Sequence, residues 1–238
     1  MAMATNPPQP NGGFRRTLLC LLLSLNLPSD LPLMAAPPAD PPNILFVVSD
    51  DQRPDTIGAL GNPVIETPHL DRLVAAGTSF SRAYAGYPIC PVSRAQILTG
   101  THAFRALPNY PTGPIDKELA TLAGTFTEAG WHTVYSGKWH NDGHPTARGY
   151  AETSGLYSSG GAKGAKGITQ PDTDLRGRPL TGYRGWTFKD AENRPLLEHG
   201  VGLQADNSRH IAEGALRAIE TAPADRPWVL HVNFAFPH

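Results

Sequence analysis

The stretch NILFVVSDD, residues 43–51, limits the fold more than any other feature of this chain. Ile44 to Val48 are all apolar, and Ile44, Val47 and Val48 are β-branched. With no polar residue at alternate positions, such a run asks for cover on both faces, the pattern of a buried parallel strand. It ends abruptly in two acids, Asp50 and Asp51. Helical periods follow. TPHLDRLVAAG places Thr67 as a cap, Pro68 in the first turn and Gly77 at the end of a short helix. CPVSRAQILTG predicts a helix entered through Pro91 and stopped by Gly100, and KELATLAGTFTEAG an amphipathic helix leading into the strand HTVYSG. TSFSRAYA is expected as a further strand, SRHIAEGALRAIE as a helix and WVLHVNFAF as another buried strand. Strands alternating with helices predict an α/β domain around a mainly parallel sheet. Residues 141–195 lack strong periodicity and read as loop-rich, with SSGGAKGAKG (158–167) the composition of a surface loop.

A chain of 238 residues can bury one large core. A formal charge of -1 suggests neither nucleic-acid binding nor a polyanionic tail. The first forty residues differ from the rest. Arg15 and Arg16 precede TLLCLLLSLNL (17–27), and small residues arrive at Ala35 and Ala36. A cleavable signal peptide over 1–36, a linker over 37–42 and export to the periplasm or beyond are expected, with a retained anchor as the alternative. The apolar run is short for a bilayer, so no stable membrane insertion is expected. Leu19 is too bulky for a lipoprotein signal before Cys20. Removal of Cys20 with the leader would leave Cys90 as an unpaired thiol in an oxidising compartment.

Ligands of open α/β sheets collect beyond the carboxyl ends of the strands. Those ends carry Asp50-Asp51, then GKWH with Lys138 and His140, then FPH with His238. Adjacent carboxylates repel unless a cation lies between them, and a hard divalent ion with oxygen ligands is the usual solution. A solvated turn in SDDQRPD is the competing reading. Lys138 and His140, two apart in an extended segment, share one face; alone, they would more often be a surface lysine and a structural histidine. Cys90, Ser93 and Arg94 stand at i, i+3 and i+4, neighbours on a helix. The thiol then sits at a helix N-terminus, where free N–H groups favour an anion, and Arg94 adds a planar cationic fork. The plain alternative is a buried, inert Cys90 with Arg94 in solvent.

Taken together, NILFVVSDD, TPHLDRLVAAGTSFSRAYA, CPVSRAQILTG, GKWH and FAFPH resemble the type I sulfatases in order and spacing, from about residue 43 to the last. The resemblance implies an alkaline-phosphatase-like fold, a mainly parallel sheet flanked by helices on both faces. Residues 43–238 would form the N-terminal part of its catalytic domain, incomplete at the C-terminus, with 141–195 as an insertion. It further implies that Cys90 is oxidised to formylglycine by a separate maturation enzyme. Asp50 and Asp51, with the modified Cys90, would then bind Ca²⁺ (Mg²⁺ being the less suited ion). Arg94, Lys138, His140 and His238 match family positions that bind the sulfate ester or assist its cleavage. The expected substrate is a sulfated carbohydrate or another small sulfate ester. Two departures stand out. Val92 occupies the place of a proline in the family motif, and the family's second metal-binding pair, Asp followed by Asn or His, would fall beyond His238. A fragment with weak Ca²⁺ binding and an exposed packing face is therefore expected. A phosphatase or phosphodiesterase of the same superfamily is the second reading, which Cys90 with Arg94 argues against; a non-catalytic anion-binding remnant is the third.

Overall fold

Five apolar residues with no polar alternate do form the first strand, β1 (Ile44–Val48), of a six-stranded sheet. The computed structural model describes residues 41–159, 171–180 and 182–238. The expected leader, the linker up to residue 40 and most of the Gly/Ser/Lys-rich stretch lie outside the described residues. The other strands are β2 (His132–Trp139), β3 (Glu152–Ser158), β4 (Thr187–Lys189), β5 (Pro195–Leu196) and β6 (Trp228–Asn233). Their order is β1-β6-β2-β3-β4-β5. The first four in that order run parallel, and β4 and β5 return antiparallel. The sheet is thus mainly parallel, as the alternation of strand and helix predicts. Asp190 makes the β4–β5 hairpin: its carboxylate accepts N–H bonds from Glu192 and Arg194, and Asn193 takes the left-handed conformation between them. β3, β4 and the first residue of β5 all come from 141–195, so that loop-rich span also supplies sheet.

Helices cover both faces. Helix α1 is Pro68–Ala76; α2 (Cys90–Thr99), α3 (Ala103–Ala106) and α4 (Leu122–Glu128) pack on one side of the sheet. Val92, Ala95, Leu98, Ala106 and Ala123 meet Tyr135, Trp139 and Leu156 there. On the other side α5 (Asn207–Glu220) sets Ile211, Ala215 and Ala218 against Val134, Tyr157 and Leu230. Gly100 stops α2 in the left-handed conformation (φ 65°) and returns its N–H to Gln96 O.

Four local expectations need correction. β1 is parallel but not buried: β6 is its one neighbour among the described residues, and Leu45 and Val47 stay 52% exposed. Residues 78–85 form no strand, because a strand needs a ladder partner and the described residues offer none. The helix expected over KELATLAGTFTEAG begins only at Leu122, where Thr121 Oγ1 accepts the Gly124 N–H at 3.0 Å. Thr67 holds the N-cap position of α1, but its hydroxyl accepts from Gly58 N–H and donates to Asp71 instead of capping.

Gly137 is the residue on which the centre of the sheet depends. It lies at an irregularity in the β2–β3 register with φ 91°. A Cβ there would stand 2.0 Å from Asn233 O, so only glycine lets β2 and β6 approach so closely just before Lys138.

Candidate active site

The carboxyl ends of β1, β2 and β6 lie side by side, which brings the polar strand ends to one place. Asp50 leaves β1 with its N–H donated to Phe236 O (3.1 Å), and Phe234 N–H donates to Val48 O (2.9 Å). Residues 234–238 therefore run beside the exit of β1. They carry His238 to the site although β6 itself ends at Asn233.

Asp50 is the centre. It is buried, and its Oδ2 accepts from the ammonium of fully buried Lys138 and from Tyr183 OH at 3.2 Å. Arg94 stands 3.8 Å from the same oxygen. Oδ1 accepts from the Cys90 thiol at 3.6 Å. Burial works against the Asp50 charge, yet Lys138 and Arg94 outweigh it and hold the carboxyl below its ordinary range. Burial draws Lys138 below the usual lysine value, with Asp50 opposing that and Arg94 adding to it. One buried carboxylate thus faces two buried cations, which leaves a net positive charge within the protein. That is an arrangement ready for an anion.

Arg94 is held from two strands: one guanidinium nitrogen donates to Asn233 Oδ1 and to Lys138 O (3.4 Å). Tyr135 OH donates to the same Lys138 carbonyl at 2.5 Å. Cys90 is the first residue of α2, half-buried, with Ile89 extended before it and Pro91 in the first turn. Cys90, Ser93 and Arg94 share one face of α2 and line, with Asp50 and Asp51, a cleft of about 250 Å³. The expected helical triad is therefore brought together, and Arg94 points inward instead of into solvent.

The two histidines differ. His140 packs edge-on against Trp186 (centroids 4.8 Å apart), and its buried Nδ1 has no partner. Burial, then the charges of Lys138 and Arg94, push its pKa down to about 4, so it is neutral at neutral pH. His238 is more open; its Nε2 lies 3.8 Å from Asp51 Oδ2, and its ring rests on Tyr183 at 4.9 Å.

Sequence reasoning missed Tyr183 and Asn233. Tyr183 binds Lys138 and Asp50 through its hydroxyl and carries the Lys138 ammonium 4.2 Å above its ring. Burial, then Asp50, raise its phenol well above the ordinary value, so it stays a proton donor. It sits in a non-periodic span, and only its place between Gly182 and Gly185 in GYRGW hinted at a special backbone, realised as φ 52°. Asn233 could have been found: it is a lone amide in the apolar run WVLHVNFAF, and a buried amide needs a partner.

Donor atoms of Asp50, Cys90 and His238 all lie within 4.8 Å of one another. Asp51, in the left-handed conformation (φ 57°), adds a second carboxylate beside His238. The sulfur and nitrogen donors would suit a softer transition metal. The two carboxylates suit a hard divalent cation, and an oxygen at the Cys90 position would complete an oxygen-donor set. Among the described residues no helix is long and apolar enough to cross a membrane.

Residues 42–238 match the family model described as Sulfatase. The uncharacterized sulfatase YidJ of Escherichia coli K12 is 28% identical over 200 residues, covering 83% of this chain and 38% of that protein. An arylsulfatase of Clostridium perfringens is 40% identical over 100 residues, 42% of this chain and 21% of its own. The chain therefore spans well under half the length of these relatives. Among solved structures, BT4656 in complex with its substrate D-glucosamine-2-N,6-O-disulfate superposes with a TM-score of 0.60 at 21% identity, over 83% of this chain and 35% of that one. Ps i-CgsB in complex with a neocarrahexaose gives 0.60 at 23%, over 83% and 45%. These likenesses establish the alkaline-phosphatase-like α/β fold.

Proposed function

The chain belongs to the sulfatase family, and from that premise we propose that it forms the nucleophile-bearing part of an enzyme that hydrolyses sulfate esters. The observation that carries the reading is the Cys90–Arg94–Lys138 cluster around buried Asp50, where two cations oppose one carboxylate. A sulfate monoester is an anion and needs charge neutralisation at its non-bridging oxygens before any nucleophile can approach. Arg94 and Lys138 supply it from fixed positions, with Tyr183 holding Lys138 in place.

Cys90 is the proposed precursor of formylglycine, made by a separate maturation enzyme. Hydrated, that aldehyde offers two hydroxyls on one carbon, one to attack sulfur and one to expel sulfate afterwards. Asp50 Oδ1 lies 3.6 Å from the Cys90 sulfur and would hold the group at that position by accepting its hydrogen bond. Asp50 and Asp51 are the proposed Ca²⁺ ligands, and the ion would add positive charge beside the nucleophile. His238 is assigned the proton for the leaving alcohol. Neutral His140 has no acidic proton to spare at neutral pH and is assigned a hydrogen-bonding role. The substrate class we assign is sulfated carbohydrate, in keeping with the sugars bound by the two solved relatives. The export expected from residues 1–36 would place the enzyme where such polymers are met.

The test has two parts. The chain is co-expressed with a formylglycine-generating enzyme and the Cys90 peptide is weighed, expecting the mass of an aldehyde in place of the thiol. Hydrolysis of 4-nitrophenyl sulfate is then compared with that of the phosphate. A thiol that remains a thiol ends the formylglycine reading. Preference for the phosphate would favour a phosphatase.

A further inference from the structure

An open groove of about 670 Å³ adjoins the catalytic cleft, sharing Ala85, Ser93 and Ile97 with it. It follows α2 to its C-terminal end and is closed by α3. That four-residue helix buries Ala103 and Ala106 at i and i+3, which leaves Phe104 and Arg105 facing solvent. Phe104 is 70% exposed, and the His102 ring lies parallel to it, centroids 5.7 Å apart and planes 6° apart. Tyr84, 88% exposed, lines the groove as well. A side chain at Gly86 would meet the Gln96 amide at 2.9 Å, so the chain passes directly over that amide.

Flat aromatic faces left in water, a guanidinium and an amide in one groove form a set with a definite ligand chemistry. Aromatic faces take the C–H face of a pyranose, a guanidinium pairs with sulfate or carboxylate, and an amide bonds hydroxyls. We propose that this groove is a subsite for a distal sugar of an anionic oligosaccharide whose scissile sulfate ester lies at Cys90. Phe104, backed by the parallel His102 ring, stacks on the sugar, and Arg105 pairs with a second anionic substituent. The assignment rests on the sulfate-ester reading for the position of the scissile group, but its binding test does not require turnover. The groove also sets a length. From Cys90 the helix α2 runs to Thr99, about 14 Å at the rise of an α-helix, or roughly three pyranose rings. The ligand is therefore longer than a disaccharide.

Calorimetry on the Cys90→Ala chain, which cannot turn over, measures binding alone. The probes are a sulfated glycosaminoglycan tetrasaccharide, the matching disaccharide and the chemically desulfated tetrasaccharide. The sulfated tetrasaccharide is expected to bind at least tenfold tighter than either of the others. Adding Phe104→Ala or Arg105→Gln is expected to erase that margin while the thermal midpoint holds, since both side chains are exposed. No binding of the sulfated tetrasaccharide, equal affinity for both lengths, or an unchanged margin in both variants overturns the subsite. Failure of the matured parent chain to hydrolyse 4-nitrophenyl sulfate bears on the sulfatase reading instead.

Discussion

Replacing Lys138 with methionine keeps the length of the side chain and removes its charge. Lys138 is fully buried and Asp50 nearly so. Removing one partner of such a pair costs about 3–5 kcal/mol, because the other charge stays buried without its counter-ion. The low end applies here for two reasons. Arg94 at 3.8 Å and Tyr183 OH at 3.2 Å remain on Asp50, and burial already draws Lys138 below its usual pKa, so its loss also relieves a desolvation cost. A loss of about 3 kcal/mol at pH 7 corresponds to a fall in Tm of roughly 6–12 °C for a domain of this size. The pH dependence identifies the cause. In the parent, Asp50 titrates below its ordinary value, so its contribution is complete above the usual carboxylate range and is lost as pH falls through the folded pKa. In the variant, burial dominates and raises Asp50, so its penalty is present at neutral pH and disappears once the group is protonated. Urea unfolding at pH 7 and pH 4 should therefore show the gap between parent and variant narrowing at acid pH. Adding Asp50→Asn to Lys138→Met should recover most of the loss. A gap of the same size at both pH values, with no recovery in the double variant, would refute the ion-pair account.

Gly137→Ala combines a left-handed backbone, about 1–2 kcal/mol for an L-residue, with a contact 2.0 Å from Asn233 O; thermal unfolding should show a loss larger than that of Lys138→Met, and an unchanged Tm would contradict the close approach of β2 and β6. His140 should titrate with a midpoint near 4 by NMR. Because its folded pKa lies below the ordinary 6.5, stability is lost as pH falls from there, and His140→Gln should flatten that loss; a midpoint near 6.5 would mean that the ring is solvated. Asp51→Asn should abolish any rise in Tm on adding Ca²⁺ while leaving the metal-free stability within about 0.5 kcal/mol of the parent, since Asp51 is exposed; a Ca²⁺ shift retained in the variant would remove Asp51 from the ligand set. Tyr183→Phe takes a hydroxyl from two charged groups, worth about 1.5 kcal/mol or more, and should lower kcat/KM for 4-nitrophenyl sulfate roughly tenfold with the circular dichroism spectrum unchanged.

Residues whose position follows from a strand end or a helix period were legible in the sequence: Asp50 after β1, Lys138 in β2, and Cys90 with Arg94 one turn apart on α2. Their meeting needs only that parallel strands present their carboxyl ends on one edge of the sheet. Tyr183 was not legible, because its position depends on a left-handed backbone between two glycines within a span that has no period. β1 was misjudged for a related reason. Apolar residues on both faces record what a strand is suited to bury, and the 52% exposure of Leu45 and Val47 records what the described neighbours cover. Residues 78–85 make the same point, since strand character in a sequence is half of a pairing whose other half must exist elsewhere.

The site's charge explains why its residues tolerate burial at all. Burial works against the Lys138 charge more than Asp50 offsets it, as the lowered pKa of Lys138 indicates. Tyr183, Asn233 and the Lys138 carbonyl, itself fixed by Tyr135, take further donors of the two cations with neutral groups instead of a second acid, and buried Arg94 Nε is left without a hydrogen-bond partner. A second acid would stabilise the fold and fill the place that a substrate anion needs. Keeping the cations under-compensated lowers stability in the empty protein and, on the proposed function, would reserve their attraction for the anion of the substrate. Lys138→Met should accordingly weaken inhibition by inorganic sulfate. Stabilisation of the protein by sulfate that survives that change would place the anion elsewhere.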